Sequence, residues 1–141
     1  MRHWRDTRLW FMGAFGFLSG LPLQLSGFTL TQWLTEGHVS LGLIGLTANI
    51  GLAYTLKFLW SPLLDQSPPL RALGRRRGWL LMVQPLLCLA VVALALADPA
   101  TRPAATFTAA AAVAFLSATQ DIAIDAWRIE TFTPAEQGAA L

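Results

Sequence analysis

The chain has 141 residues, of which 55% are hydrophobic and 13% charged, and it carries a formal net charge of +2. This is the length of one domain, but the balance departs from that of soluble proteins. A soluble helical bundle can bury one wholly apolar helix, not several with so little polar surface to cover them. The basic excess is confined to short segments and gives no case for a nucleic-acid partner.

Uncharged runs extend from Leu9 to Thr35, Val39 to Leu56, Trp79 to Ala97 and Pro103 to Gln120. Each is about long enough to cross a hydrocarbon core of roughly 30 Å as a helix. None has the charged face of a soluble amphipathic helix. The pattern predicts an all-α membrane protein of about four transmembrane helices, near residues 9–34, 41–64, 78–97 and 104–129, with a cytoplasmic loop over 65–77. The opening MRHWRDTR has the charge of a signal peptide, but the following apolar run is too long for one and lacks a small-residue cleavage site, so the first helix is retained. The bilayer is the first partner implied.

Arg2, Arg5 and Arg8 precede the first predicted helix, and Arg71, Arg75, Arg76 and Arg77 lie between the second and third. The opposite connections hold Glu36, His38, Asp98 and Arg102. By the positive-inside rule the N-terminus and the second-to-third loop are cytoplasmic. Short connections make successive helices antiparallel neighbours. Cys88 stands alone in the third helix and has no partner for an internal disulfide.

The first helix carries Gly13, Gly16 and Gly20, the last two in the small-xxx-small relation that permits close backbone approach, and Gly42, Gly45 and Gly51 give the second a similar face. Pro22 removes a backbone donor and predicts a kink. Beyond it stand Gln24, Ser26, Thr29, Thr31 and Gln32, and the fourth helix has Gln120. Polar groups are costly against lipid and face protein or a watery cavity. They serve either as interhelical glue or as solute contacts.

Ionisable residues within the spans say more. Lys57 lies near the end of the second, and Asp121 and Asp125 lie late in the fourth, one turn apart on one face, followed by Arg128. A charge left in lipid costs about 3 kcal/mol or more, so such residues mark either a functional site or a structural ion pair. Measured along two inward-running helices, Lys57 and Asp121 fall at similar depth, which makes pairing feasible. Burial favours a neutral acid and a nearby ammonium favours a carboxylate. A switchable contact would therefore move Asp121 between charged and protonated states, as a proton-coupled carrier requires. There is no HExxH, CxxC, GxSxG or GxxxxGK[ST], so zinc-protease, thiol-redox, hydrolase and P-loop chemistry lack their residues. The reading is not an enzyme, with no cofactor and no metal.

Several segments carry a resemblance. An aspartate closing the second helix, Asp65, followed by a loop and by Gly74, Arg75, Arg76 and Arg77, resembles the loop between the second and third helices of the major facilitator superfamily. KFLWSPLLD, GRRRGWLL, GFLSGLPL and SATQDIAIDAW are similar to segments of the AmpG-type muropeptide permeases. The acetyl-coenzyme A transporters share a related KxLWxPLxD segment. The similarity runs from about Leu9 to Leu141. Ser61 stands where the superfamily loop has glycine, and the segment from Gln66 to Leu73 is longer than usual.

The resemblance implies proton-coupled import of anhydro-muropeptides, sugar-peptide fragments of the cell wall, across the bacterial inner membrane. It also implies a cytoplasmic charge cluster of Asp65, Arg75, Arg76 and Arg77 with a fourth-helix acid, Asp125, and with Arg128 close by, that steadies the outward-open state. The chain is expected to be part of an N-terminal six-helix bundle, inactive without the remaining transporter helices. Alternatives are an acetyl-coenzyme A transporter-like or other major facilitator carrier, or a small membrane scaffold.

Overall fold

The computed structural model describes residues 7–67, 69 and 74–132. Arg2, Arg5 and Arg71, which carry part of the charge asymmetry, lie outside the described residues, as do the side chains of Arg8, Arg75 and Ser26. Every regular element among the described residues is helical. Among the described residues four rods follow one another. The first joins α1 (Thr7–Gln24), a π-helical turn (Leu25–Thr29) and α2 (Leu30–Glu36). The second joins α3 (Leu41–Thr47), a 3-10 turn (Ala48–Gly51), α4 (Leu52–Leu56), a second 3-10 turn (Lys57–Leu59) and α5 (Ser61–Gln66). The third and fourth are α6 (Arg75–Leu96) and α7 (Pro103–Thr131).

Among the described residues, three stretches are long and apolar enough to cross a membrane: Leu41–Leu59, Arg76–Leu96 and Pro103–Thr131. The first rod is a further helical segment over 7–36, about 45 Å long at 1.5 Å per residue. Its polar residues from Gln24 onward dilute the hydropathy that marks the other three.

The breaks in the rods have local causes. Pro22 lies inside α1 without an N–H to donate, and the ladder widens to the π pattern three residues later. Thr31 Oγ1 donates to the Gly27 carbonyl within that widened turn at 3.0 Å. In the second rod Pro62 is at the start of α5, where a missing N–H costs nothing. The helix before it tightens into a 3-10 turn and a bend at Trp60, so the continuous helix expected over 41–64 is a segmented one. Gly74 precedes α6 with a φ of 82°, a left-handed backbone that glycine accepts readily. With α6 beginning at Arg75, the three arginines expected in the loop over 65–77 form the first helical turn instead.

Packing centres on α7. Its pairing with α6 is the most extensive contact between elements, and α1 and α4 also lie against it. Thr106, Ala110, Val113, Ala114 and Ser117 are fully buried along it. Small residues let neighbouring backbones come near. Around this line gather Leu30 and Leu34 of α2, Ile50 of the second rod, and Leu87 and Leu94 of α6. The glycines behave differently. A methyl group placed on Gly13, Gly16, Gly20, Gly42, Gly45 or Gly51 would meet open space within 4 Å. The close-contact face among the described residues is the alanine stripe, because there the neighbouring rods converge.

The two short connections share one end, where Gly37 lies against the Pro99 ring. The charged residues 57, 65, 76, 121, 125, 128 and 130 gather toward the other end.

Candidate functional site

Two charge clusters occupy that second end, one deeper than the other along α7. In the inner cluster Lys57 Nζ lies 3.1 Å from Asp121 Oδ2 and 3.6 Å from Asp125 Oδ2. The i, i+4 spacing on α7 turns both carboxylates to one side. The 3-10 turn of the second rod places the ammonium between them. Arg128 Nη2 reaches back one turn to Asp125 Oδ1 at 3.3 Å. Lys57 and Asp121 are about 30% exposed, so the pair is sheltered but not sealed.

Aromatic residues secure the frame. Trp60 Nε1 donates to Thr119 Oγ1 at 3.2 Å, and its ring lies 5.0 Å from that of Phe115. This holds the bend after Lys57 against α7. One turn beyond, Trp79 Nε1 donates to the Leu64 carbonyl at 3.0 Å and ties α6 to α5. Near the end of α7 Trp127 and Phe132 meet edge to face at 6.2 Å.

In the outer cluster Arg76 joins two elements. Nη1 lies 2.5 Å from Asp65 Oδ1, while Nε and Nη2 donate to Glu130 Oε1 at 3.1 and 2.9 Å. The guanidinium is only 11% exposed. Its planar fork suits two carboxylates on fixed helices. Arg77, on the next position of α6, is exposed. The α7 acid on Arg76 is thus Glu130, whereas Asp125 engages Lys57 and Arg128. Arg76 meets Glu130 because α6 begins early, and its first turn lies opposite the last turn of α7. Glu130 stands at a helix end, where acids are commonly solvated, and its distance from Asp65 in sequence leaves no local signal of the contact.

A groove of about 710 Å³ runs between α5 and α7 past both clusters, with Lys57, Asp65, Arg76, Asp125 and Glu130 among its walls. At the opposite end a smaller hollow of about 360 Å³ is lined by Phe28, Thr31, Gln32, Thr35 and Glu36. Gln24, Thr31 and Gln32 are exposed, and Gln32 Nε2 lies 3.4 Å from Glu36 Oε1. Gln120, by contrast, is 2% exposed and sits inside the packing of α7 rather than on an open wall. The residues expected along a solute path therefore divide between a surface rod and the bundle interior.

The family model described as acetyl-coenzyme A transporter 1 matches residues 9–105. The anhydromuropeptide permease of Escherichia coli strain K12 is 42% identical over 140 residues, which are 99% of this chain and 28% of the permease. A putative transporter AmpG 4 of Rickettsia felis is 36% identical over 138 residues, 96% of this chain and 33% of that protein. A putative transporter AmpG 3 of Rickettsia prowazekii is 37% identical over 125 residues, 86% and 30% of the two chains. The chain thus spans about three tenths of the length of the curated relatives it matches. No solved structure matches it. With more than half of its residues covered by the family model and AmpG transporters among its relatives, the chain belongs to the acetyl-coenzyme A transporter 1 family, of major facilitator type, and resembles the AmpG permeases.

Proposed function

We propose that the chain forms the N-terminal helices of a proton-coupled importer of anhydro-muropeptides in the bacterial inner membrane, with the charged end of its bundle in the cytoplasm. The observation that carries this reading is the Lys57–Asp121 pair, at 3.1 Å, between two stretches apolar enough to span a membrane. An ammonium and a carboxylate are expensive to keep there unless they work. Asp125 gives the pair a second state. When Asp121 takes up a proton it loses its attraction for Lys57, and the ammonium has another carboxylate 3.6 Å away to turn to. Asp121 is the coupling group and Lys57 its modulator. Asp65, Arg76 and Glu130 form the cytoplasmic latch. Solute is bound where these helices face the other helices of a full-length carrier.

A permease of the relatives' full length that carries this segment tests the reading. Asp121→Asn should abolish accumulation of radiolabelled anhydro-muropeptide against a gradient in energised vesicles, and Lys57→Ala should weaken it. Intact accumulation in both would make the pair structural. The family model's description favours a second cargo class. Competition by acetyl-coenzyme A, with none by muropeptide, would select that carrier instead. Uptake of neither would favour a membrane scaffold.

A further inference from the structure

Phe28, Thr31, Gln32, Thr35 and Glu36 recur at i, i+3, i+4, i+7 and i+8, the spacing of one helical face. They line the hollow of about 360 Å³ at the end of the first rod away from the charge clusters. The other side of this rod is already used, since Leu30 and Leu34 are buried in the packing around α7. The hollow therefore opens away from the described bundle. From Phe28 to Glu36 it runs along about 12 Å of helix at 1.5 Å per residue, and its volume lies within the usual range of small-molecule sites, about 300–1,000 Å³. An acid, an amide and two hydroxyls on such a face are costly against lipid. Helices in close contact meet through small residues; here long side chains hold a space open.

The hydrogen-bonding groups of the hollow are mostly acceptors. Thr31 Oγ1 donates to the Gly27 carbonyl at 3.0 Å, and Thr35 Oγ1 to the Thr31 carbonyl at 2.8 Å. Each hydroxyl thus directs its one proton to its own helix and keeps oxygen lone pairs for the hollow. Gln32 Nε2 is turned toward Glu36 Oε1 at 3.4 Å, which leaves an amide oxygen and a second N–H beside a carboxylate that only accepts. No lysine or arginine is among the described residues that line the hollow. Phe28, 75% exposed, adds an aromatic face at its inner end. A ligand that fits must bring several donors, one flat apolar face and no negative charge. A pyranose ring does so: its hydroxyls and acetamido N–H donate, and its C–H face lies against the negative face of an aromatic ring. The terminal carboxylate of a peptide, or the phosphates of acetyl-coenzyme A, would meet Glu36 with no cation to offset it. We propose that this hollow is a subsite for a neutral sugar ring, with Glu36 and Gln32 on its hydroxyls and Phe28 against its C–H face. The proposal rests on the reading of the chain as part of a muropeptide importer. It assigns the sugar end of the fragment to the first rod, at the opposite end of the bundle from the Lys57–Asp121 pair.

The test uses a full-length permease carrying this segment, purified in detergent, and equilibrium binding of two radiolabelled probes. One is anhydro-muropeptide; the other is its sugar portion with a methylamide in place of the peptide, which removes the peptide's charge. Phe28→Leu keeps an apolar side chain without the ring, and Glu36→Gln keeps the size without the charge. Each should raise the Kd of both probes at least fivefold, with the unfolding midpoint unchanged. Should Phe28→Leu lower the midpoint, the isosteric Glu36→Gln decides. Parental binding of muropeptide in both variants overturns the subsite and leaves the importer reading standing. Weaker binding of muropeptide, with parental binding of the methylamide, assigns the hollow to the peptide end and overturns the proposal. So does a parent that binds muropeptide but not the methylamide. A parent that binds neither probe overturns the importer reading and the subsite with it.

Discussion

The two charge clusters differ in the cation at their centre, and the difference separates a clamp from a switch. Arg76 is nearly buried and spends three nitrogens on two acids, one from each neighbouring element. Its fixed, planar donors match that arrangement and no other. Lys57 is a point charge on a flexible stem, placed between two carboxylates on one helix face at 3.1 and 3.6 Å. It can trade one for the other by turning its last bonds. Arginine joins α5 and α6 to α7 in one geometry; lysine leaves the choice of partner open.

Three measurements would break or sharpen this contrast. The largest effect is expected at the inner cluster. Lys57→Met leaves Asp121 and Asp125 facing each other one turn apart, where like charges repel. It should lower the unfolding midpoint in detergent well beyond the double variant Lys57→Met/Asp121→Asn, because removing one partner of a sheltered pair is worse than removing both. Equal midpoints would mean that the pair carries no coupling energy. Next in size is Arg76→Lys, which keeps the charge but loses the fork. If Arg76 is a clamp, this variant should cost about 1 kcal/mol of stability, in the range of a partly exposed ion pair. Parental stability in Arg76→Lys would show that charge alone suffices there.

The smallest effect is expected at a third, fully exposed acid that serves as a control. Thr101 Oγ1 donates to Asp98 Oδ2 at 2.8 Å, and the Ala100 N–H donates to Oδ1 at 2.9 Å. Led by the Thr101 bond, these contacts hold the Asp98 carboxyl below its usual range. A carboxyl so depressed adds stability that is present above its unfolded pKa and is lost as pH falls through the folded one. Thr101→Val should return the Asp98 titration, followed by carboxyl infrared absorption, upward toward the ordinary value without changing uptake. A change in uptake would mean that this connection takes part in transport and is no control.

Much of this arrangement is legible in the residues, and what escapes has physical reasons. Charge-free runs mark where helices lie because lipid excludes charge, and the i, i+4 relation of Asp121 and Asp125 follows from helix geometry alone. The structure brings Lys57 to both, a pairing across 64 and 68 positions that sequence allows through depth but does not fix. Glu130 escapes a reading of the residues because its partner Arg76 is on another helix, 54 positions away. Nor does a glycine spacing tell whether a neighbour uses it. The GxxxG face of α1 is open, while the less conspicuous alanines of α7 are buried at 0% exposure. The segmentation of the second rod follows from Pro62 only once Trp60 is seen anchored on Thr119.

That segmentation also sets a length. A 3-10 turn advances about 2.0 Å per residue against 1.5 Å in an α-helix. The stretch Leu41–Leu59 contains two 3-10 turns, Ala48–Gly51 and Lys57–Leu59. They lengthen it by about 3.5 Å, to roughly 32 Å, where an unbroken α-helix of the same residues would stop near 28 Å. The hydrocarbon layer is about 30 Å thick. The tightened turns thus let a short apolar segment match the membrane without thinning it, and they carry Lys57 toward the headgroup side while its carboxylate partners stay on the straight helix beside it.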